Sequence, residues 1–159
     1  MITGLGRLAV LLTRDAPPPR RKFAEKQPGP APGKRARVLL IDDDPLFGRI
    51  MQKHAARNGI DLTWMQDARQ LPADGPWHWD LCIMDYDLGA VTGPELVSWL
   101  GNRPGACPFL LISHTERTDH RFWPRSIGGF EGKAAGPAGI YSRAFALVSN
   151  GHTPGAGRS

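Results

Sequence analysis

Cysteine is scarce in this chain, two in 159 residues, and neither has the local spacing of a zinc site. Cys82 lies inside an apolar run and Cys107 just ahead of another, positions that read as reduced, packed thiols in a cytoplasmic protein. Long hydrophobic runs are missing as well. The stretch Leu8–Leu12 is apolar but far short of the roughly 20 residues a membrane-spanning helix needs, Arg7 adjoins it, and no signal-peptide core with a small-residue cleavage site is evident. No internal repeat is visible. Trp77, Trp79, Trp99 and Trp123 have no accompanying basic groove, so packing is expected of them and not base stacking.

The net charge of +5 invites a nucleic-acid reading until it is divided along the chain. Residues 1 to 37 hold nine Lys and Arg against Asp15 and Glu25, which is +7 and leaves −2 for the remainder. The basicity therefore belongs to a Pro-rich tail that cannot bury enough apolar surface to fold by itself. The expected division is a disordered basic tail over 1–35, a folded domain over 36–148 and a loose Gly/Pro-rich end over 149–159. The tail carries no recognition element for DNA, so no specific nucleic acid and no membrane span are expected; it is either a genuine extension or a start assigned too early.

What the chain does have is two short apolar runs that end in acid. Val38-Leu39-Leu40-Ile41 runs into Asp42-Asp43-Asp44, and Leu81-Cys82-Ile83-Met84 runs into Asp85-Tyr86-Asp87. Continuous apolar runs of this length read as strands buried on both faces of a parallel sheet, and their C-terminal ends form the edge where open α/β sheets bind ligands. If the two strands are neighbours, Asp42, Asp43 and Asp85 converge on a pocket suited to a hard divalent cation, most simply Mg²⁺.

Asp44-Pro45 opens a helix, Asp as cap and Pro at the first helical position, and Asn58-Gly59 stops it. His54 falls on the packed side of that helix. Ile60–Trp64 alternates as a second strand would, a weak helix containing Pro72 follows, and Leu81–Met84 is the third strand. A helix is expected from about Pro94 to Leu100, a fourth strand over Pro108–Ile112, and a short or irregular helix between Arg117 and Ser126 because of Pro124. Ile127–Gly132 gives a fifth strand ending at Lys133, and a last helix runs near Ile140 to Val148. Alternating strands and helices imply right-handed crossovers and a doubly wound five-stranded parallel sheet with helices on both faces.

The strand ends thus offer Asp42 and Asp43, Asp85, Ser113 and Lys133, in an order that suits phosphoryl transfer to a carboxylate. That order resembles the receiver domain of bacterial two-component response regulators, which has a flavodoxin-like fold, over about Arg37 to Leu147. Val38-Leu-Leu-Ile-Asp-Asp-Asp-Pro45 is similar to the family's first strand with its acidic pair, and Asp80-Leu-Cys-Ile-Met-Asp85 to the segment before the phosphoacceptor. The resemblance implies Asp85 as phosphoacceptor, and Asp42, Asp43, Asp85 and the backbone carbonyl of Asp87 as Mg²⁺ ligands. It also implies Ser113 as the hydroxyl and Phe130-Glu-Gly-Lys133 as the aromatic switch residue followed by the lysine. Ser113 and Phe130 would then move together as the switch. Asp87, His114 and Thr115 stand where the family modulates the reaction, His114 in place of a very small residue.

What the resemblance implies about function is a stand-alone receiver, expected because little chain follows Leu147. It would take a phosphoryl group from a histidine kinase or a histidine phosphotransfer protein and signal to a downstream protein. Such a protein is not an enzyme toward a separate substrate and catalyses only its own phosphorylation and dephosphorylation. Two rivals stand beside it. One is a receiver-like adaptor that binds a partner without phosphorylation. The other is a phosphatase of the haloacid-dehalogenase type, whose Asp-x-Asp Asp85-Tyr86-Asp87 superficially matches, although here an entire strand and helix unit precedes the motif.

Overall fold

The computed structural model describes residues 35–72, 77–102, 106–117 and 120–149. The expectations for the two tails lie outside the described residues, apart from the few residues at their inner ends. Five strands, β1 (Arg37–Ile41), β2 (Asp61–Met65), β3 (Leu81–Asp85), β4 (Phe109–Ser113) and β5 (Ile127–Gly132), form one sheet in the order β2-β1-β3-β4-β5. All four pairings are parallel, as the alternating pattern requires. Three helices join or flank them: α1 (Pro45–Arg57), α2 (Gly93–Leu100) and α3 (Gly136–Ser149).

Side-chain alternation divides the core into two layers. Val38, Leu40, Leu81, Ile83, Leu110 and Ile112 pack under α1 and α3, against Phe47, Met51, Ile140, Tyr141 and Ala144. Leu39, Ile41, Cys82, Met84, Phe109 and Leu111 face the other way, onto Leu96, Val97 and Leu100 of α2 and onto Trp77. Because both faces of β1, β3 and β4 are covered, their side chains carry no polar alternation, the reason these strands read as unbroken apolar runs. His54 is half-buried and stacks on the Tyr141 ring at 5.4 Å, in agreement with its packed position in the sequence reading.

Among the described residues, two segments expected to be weak or irregular helices form single 3₁₀ turns. Where a weak helix containing Pro72 was expected after β2, a single 3₁₀ turn over Ala68–Gln70 is capped by Asp67, whose carboxylate accepts the Arg69 N–H at 2.8 Å. Leu71, in extended geometry ahead of Pro72, ends it, since a residue before proline is driven out of helical conformation. Between β4 and β5 the described residues of the crossover form the 3₁₀ turn His120–Phe122, two residues ahead of Pro124, in keeping with the short or irregular element that proline indicated. In contrast α3 begins four residues earlier than its apolar spacing indicated, at Gly136, because Pro137 in the first turn is compatible with a helix start.

Candidate functional site

Register alone brings the acidic strand ends level with one another. Ile41 pairs with Met84, so Asp42 and Asp85 follow side by side, while Asp85 pairs with Ile112 and Ser113 pairs with Gly132, immediately before Lys133. Asp42, Asp85, Ser113 and Lys133 are also the buried polar residues of the described chain, at 0%, 5%, 1% and 6% exposure. Burial of charge is costly unless it is compensated. Lys133 supplies the compensation: its Nζ lies 2.8 Å from Asp42 Oδ2 and 2.8 Å from Asp85 Oδ2. The ammonium is also 4.7 Å from the centre of the Phe47 ring, whose face favours a cation.

The Asp42 backbone and side chain are fixed independently. Trp64 Nε1 donates to the Asp42 carbonyl at 2.9 Å, and Asp42 Oδ1 accepts the Asp44 N–H at 3.0 Å. Asp44 in turn caps α1, its Oδ1 accepting from the N–H groups of Leu46 at 2.8 Å and Phe47 at 3.2 Å, the role its place before Pro45 indicated. These two bonds hold its carboxyl below the usual carboxylate range. Asp43, between them, is exposed.

Three carboxylates and one ammonium leave a net charge of −2 in this pocket. Oxygens of Asp42, Asp43 and Asp85 all lie within 4.8 Å of one another. Burial drives the Asp42 carboxyl above its ordinary range, the Lys133 ammonium opposes this, and the Asp85 charge adds to it. Asp42 Oδ2 is buried with Lys133 Nζ at 2.8 Å, and a carboxylate oxygen with one such partner keeps a second lone pair to offer. Burial pulls the Lys133 ammonium down, but its contacts with Asp42 and Asp85 outweigh this and raise it, so it stays a fixed cation. A hard divalent cation fits this donor set: oxygen ligands, two uncompensated negative charges and a buried oxygen with an open lone pair.

The loop after β3 closes the pocket by a tight return. Gly93 N–H donates to the Tyr86 carbonyl at 2.7 Å, Leu88 N–H to that of Val91 at 3.2 Å, and Asp87 and Thr92 form an antiparallel bridge. A Cβ at Gly93 would stand 2.6 Å from the Asp85 carbonyl oxygen, so this approach of α2 to the end of β3 requires glycine. Across the loop, Ser113 Oγ accepts the Thr115 N–H at 3.2 Å. His114 and Thr115 are exposed. Phe130 is half-buried beside His120 and Trp123, with ring centres 5.9 and 5.8 Å away.

The structure brings together Asp42, Asp43, Asp85, Ser113 and Lys133, with Asp87 on the rim and Phe130 outside the pocket. Sequence reasoning missed Arg117, which it placed at the start of a crossover helix. Arg117 instead folds back, its guanidinium 3.7 Å above the Tyr86 ring centre, paired with the Asp87 carboxylate and 3.4 Å from Ser113 Oγ. The available signal was a cation four positions beyond a strand-end hydroxyl, meaningful only once that crossover is known not to be a helix.

A parallel sheet in this order, with buried carboxylates and one lysine at its C-terminal edge, is the arrangement of a receiver-type domain. The sequence matches the response regulator receiver domain over residues 38–124, more than half of the chain, and the protein belongs to that family. It is 28% identical over 101 residues to the C4-dicarboxylate transport transcriptional regulatory protein of Pseudomonas aeruginosa, covering 63% of this chain and 21% of that protein. It is 29% identical over 90 residues to the autoinducer 2 sensor kinase/phosphatase of Vibrio cholerae, covering 56% of this chain and 10% of the relative. The chain thus spans about a fifth and a tenth of the lengths of these two relatives. Among solved structures, a CheY-like receiver domain of Methanospirillum hungatei superposes with a TM-score of 0.62 at 15% identity, covering 77% of this chain and all of that one. A response regulator of Burkholderia pseudomallei with a phosphorylated aspartic acid and a calcium ion superposes with a TM-score of 0.57 at 16% identity, covering 72% of this chain and 69% of the other. β5, Lys133 and α3 lie beyond the family match. No helix of the described residues is long and apolar enough to cross a membrane.

Proposed function

We propose that this protein is a cytoplasmic response regulator receiver that accepts a phosphoryl group on Asp85 from a histidine kinase or a histidine phosphotransfer protein, and signals by contact with a downstream protein. The observation that carries this reading is the double contact of Lys133 Nζ, 2.8 Å from both Asp42 and Asp85, within a cluster to which Asp43 contributes the third carboxylate. One Asp85 carboxylate oxygen attacks the phosphorus of the donor's phosphoimidazole. The O–P bond forms as the P–N bond breaks, and the imidazole leaves with the bonding pair and takes its proton from solvent. Lys133 stays in place as the fixed cation beside the new acyl phosphate, and the Ser113 hydroxyl is positioned to donate to a phosphoryl oxygen.

Asp42, Asp43, Asp85 and the Asp87 backbone carbonyl would hold Mg²⁺, which supplies neutralisation of the phosphoryl oxygens. Phe130, next to the β5 edge, is the aromatic that would turn with Ser113. The protein acts on no separate substrate and catalyses only its own phosphorylation and hydrolysis. A sensor kinase/phosphatase among its relatives and a phosphorylated aspartic acid in a structural neighbour support the reading. A phosphorylation-independent adaptor is the second reading, favoured by the reduction of the β4–β5 crossover to one 3₁₀ turn.

Incubation with Mg²⁺ and acetyl phosphate, followed by intact mass, separates the two. A phosphoryl adduct in the wild type that Asp85→Asn abolishes and chelation prevents is expected. An unmodified wild type under conditions where another receiver reacts would leave the adaptor reading standing, and a time course of the adduct gives its lifetime.

A further inference from the structure

Three cationic or nucleophilic groups meet at the mouth of the pocket, and only two belong to the family pattern. The third, Arg117, is held on three sides. The Tyr86 ring supports the face of its guanidinium at 3.7 Å, the Asp87 carboxylate pairs with Nη2, and Ser113 Oγ lies 3.4 Å from the same nitrogen. Only 22% of its side chain is exposed, so an intrinsically flexible residue is fixed in one orientation. Its Nε–H is buried and has no hydrogen-bond partner among the described residues. A buried charged donor without an acceptor is costly and calls for an explanation.

Ser113 sharpens the point. Its oxygen faces two N–H donors, Thr115 N at 3.2 Å and Arg117 Nη2 at 3.4 Å. With both acceptor positions of the hydroxyl directed at donors, what remains to it is its proton. The nearest acceptor for that proton is Thr115 Oγ1 at 3.5 Å, a contact at the outer limit of a hydrogen bond. Two donors with a weak acceptor or none, Ser113 O–H and Arg117 Nε–H, are thus carried by residues that meet through the 3.4 Å contact of Nη2 with Oγ. The pocket's own cation is already committed, since Lys133 contacts both Asp42 and Asp85. A group bearing two negative charges on three oxygens has an oxygen to spare beyond those that Lys133 and a bound divalent cation would contact, and among the described residues Arg117 offers a further cation beside Ser113.

We propose that Arg117 is a phosphoryl-oxygen ligand of this site, a guanidinium clamp opposite Lys133 that is held ready by Tyr86 and Asp87. The proposal rests on Asp85 as the phosphoacceptor. The planar fork suits a tetrahedral oxyanion, and the Asp87 carboxylate keeps it from swinging into solvent before the anion arrives. In this role Asp87 acts through the arginine, as a positioning residue.

The test is titration of the full chain with beryllofluoride in the presence of Mg²⁺, a stable mimic of a phosphorylated aspartate, in wild type, Arg117→Ala and Arg117→Gln. The clamp predicts a dissociation constant about tenfold weaker in Arg117→Ala, the loss typical of a charge-assisted hydrogen bond. Arg117→Gln, which keeps a planar N–H donor but no charge, should be similarly weakened and carries the test if the alanine variant unfolds early. Affinity for Mg²⁺ alone should stay within about twofold of wild type, because Arg117 touches none of the three carboxylates and meets Asp87 through its side chain, while the proposed ligand there is the backbone carbonyl, fixed by the Asp87–Thr92 bridge. Wild-type affinity in both variants, tighter binding, or a parallel loss of Mg²⁺ affinity would overturn the clamp while leaving the phosphoacceptor reading intact. If the wild type itself bound no beryllofluoride, the phosphoacceptor reading and the clamp would fall together.

Discussion

Lys133 and Asp85 are 48 positions apart in the chain, and the lysine Nζ donates to Asp85 Oδ2 at 2.8 Å in a buried contact. The same ammonium faces Asp42, so a single cation holds two carboxylates that would otherwise repel one another across the ends of β1 and β3. Stability and chemistry are coupled through this residue.

Removing that cation should reveal the coupling. Lys133→Met leaves two buried carboxylates without their partner, a change of the kind that costs ~3–5 kcal/mol. Urea denaturation is expected to show a loss of that order in chelator. Several millimolar Mg²⁺ should restore part of it, because the ion replaces the lost positive charge among Asp42, Asp43 and Asp85. Equal destabilisation with and without Mg²⁺ would show that the three carboxylates do not form a cation site.

A second prediction concerns the support beneath Asp42. A Cβ added at Gly48 would stand 2.1 Å from Trp64 Cε2, inside the ring whose Nε1 holds the Asp42 carbonyl. Gly48→Ala should therefore destabilise by ~1–3 kcal/mol, the range for overpacking, and perturb tryptophan fluorescence. The substitution should cost less in a Trp64→Ala background than in wild type, so the four melting curves of the double-mutant cycle should not add. Additive losses would mean that the ring moves aside without cost.

Much of this arrangement was legible from residue type and spacing. Asp44 declared itself as a cap by standing before Pro45, and the apolar runs ending at Asp42 and Asp85 declared both strands and site, because burial on two faces removes polar alternation. Less legible were the crossovers. Pro72 and Pro124 signalled weak helices, but whether a segment shortens to a single 3₁₀ turn depends on what covers the sheet. Here Trp77 and the cluster of Tyr86, His120, Trp123 and Phe130 pack on the α2 side of the sheet. Arg117 was hidden for the same reason: its partners Tyr86 and Asp87 lie 31 and 30 positions away, and only a non-helical crossover lets it reach them.

The two thiols give a readout of global opening. Burial pushes the Cys107 thiol up to about 12 and raises Cys82 well above its ordinary range. At pH 8 the thiolate fraction of a group at that value is on the order of one in ten thousand, so reaction with a disulfide reagent should be very slow in the native state. Both cysteines should react together, at the rate at which the sheet unfolds. The fraction protected should fall along the same urea curve as the circular dichroism signal. Fast labelling of Cys82 alone would contradict its full burial within β3.

Two glycines belong to the loop after Asp85, and their requirements differ in kind. Gly89 has φ +73 and open space around its missing Cβ, so Gly89→Ala meets only the strain of left-handed backbone, ~1 kcal/mol, at some distance from Asp85. Gly93 has ordinary backbone angles but no room: its Cβ would meet the Asp85 carbonyl oxygen at 2.6 Å, the Leu111 side chain at 3.0 Å and Tyr86 Cα at 3.3 Å. Two of these three neighbours are backbone and cannot rotate away, so Gly93→Ala must push the start of α2 from the end of β3. That displacement strains the 2.7 Å bond from Gly93 N–H to the Tyr86 carbonyl and moves the backbone on which Asp85 and Asp87 stand. Gly93→Ala is therefore expected to lose ~1–3 kcal/mol and also to slow acetyl-phosphate labelling of the fraction that remains folded. Gly89→Ala should label at the wild-type rate. Equal labelling rates in the two variants, measured by intact mass at a temperature where both are fully folded, would show that the close approach at Gly93 serves packing alone.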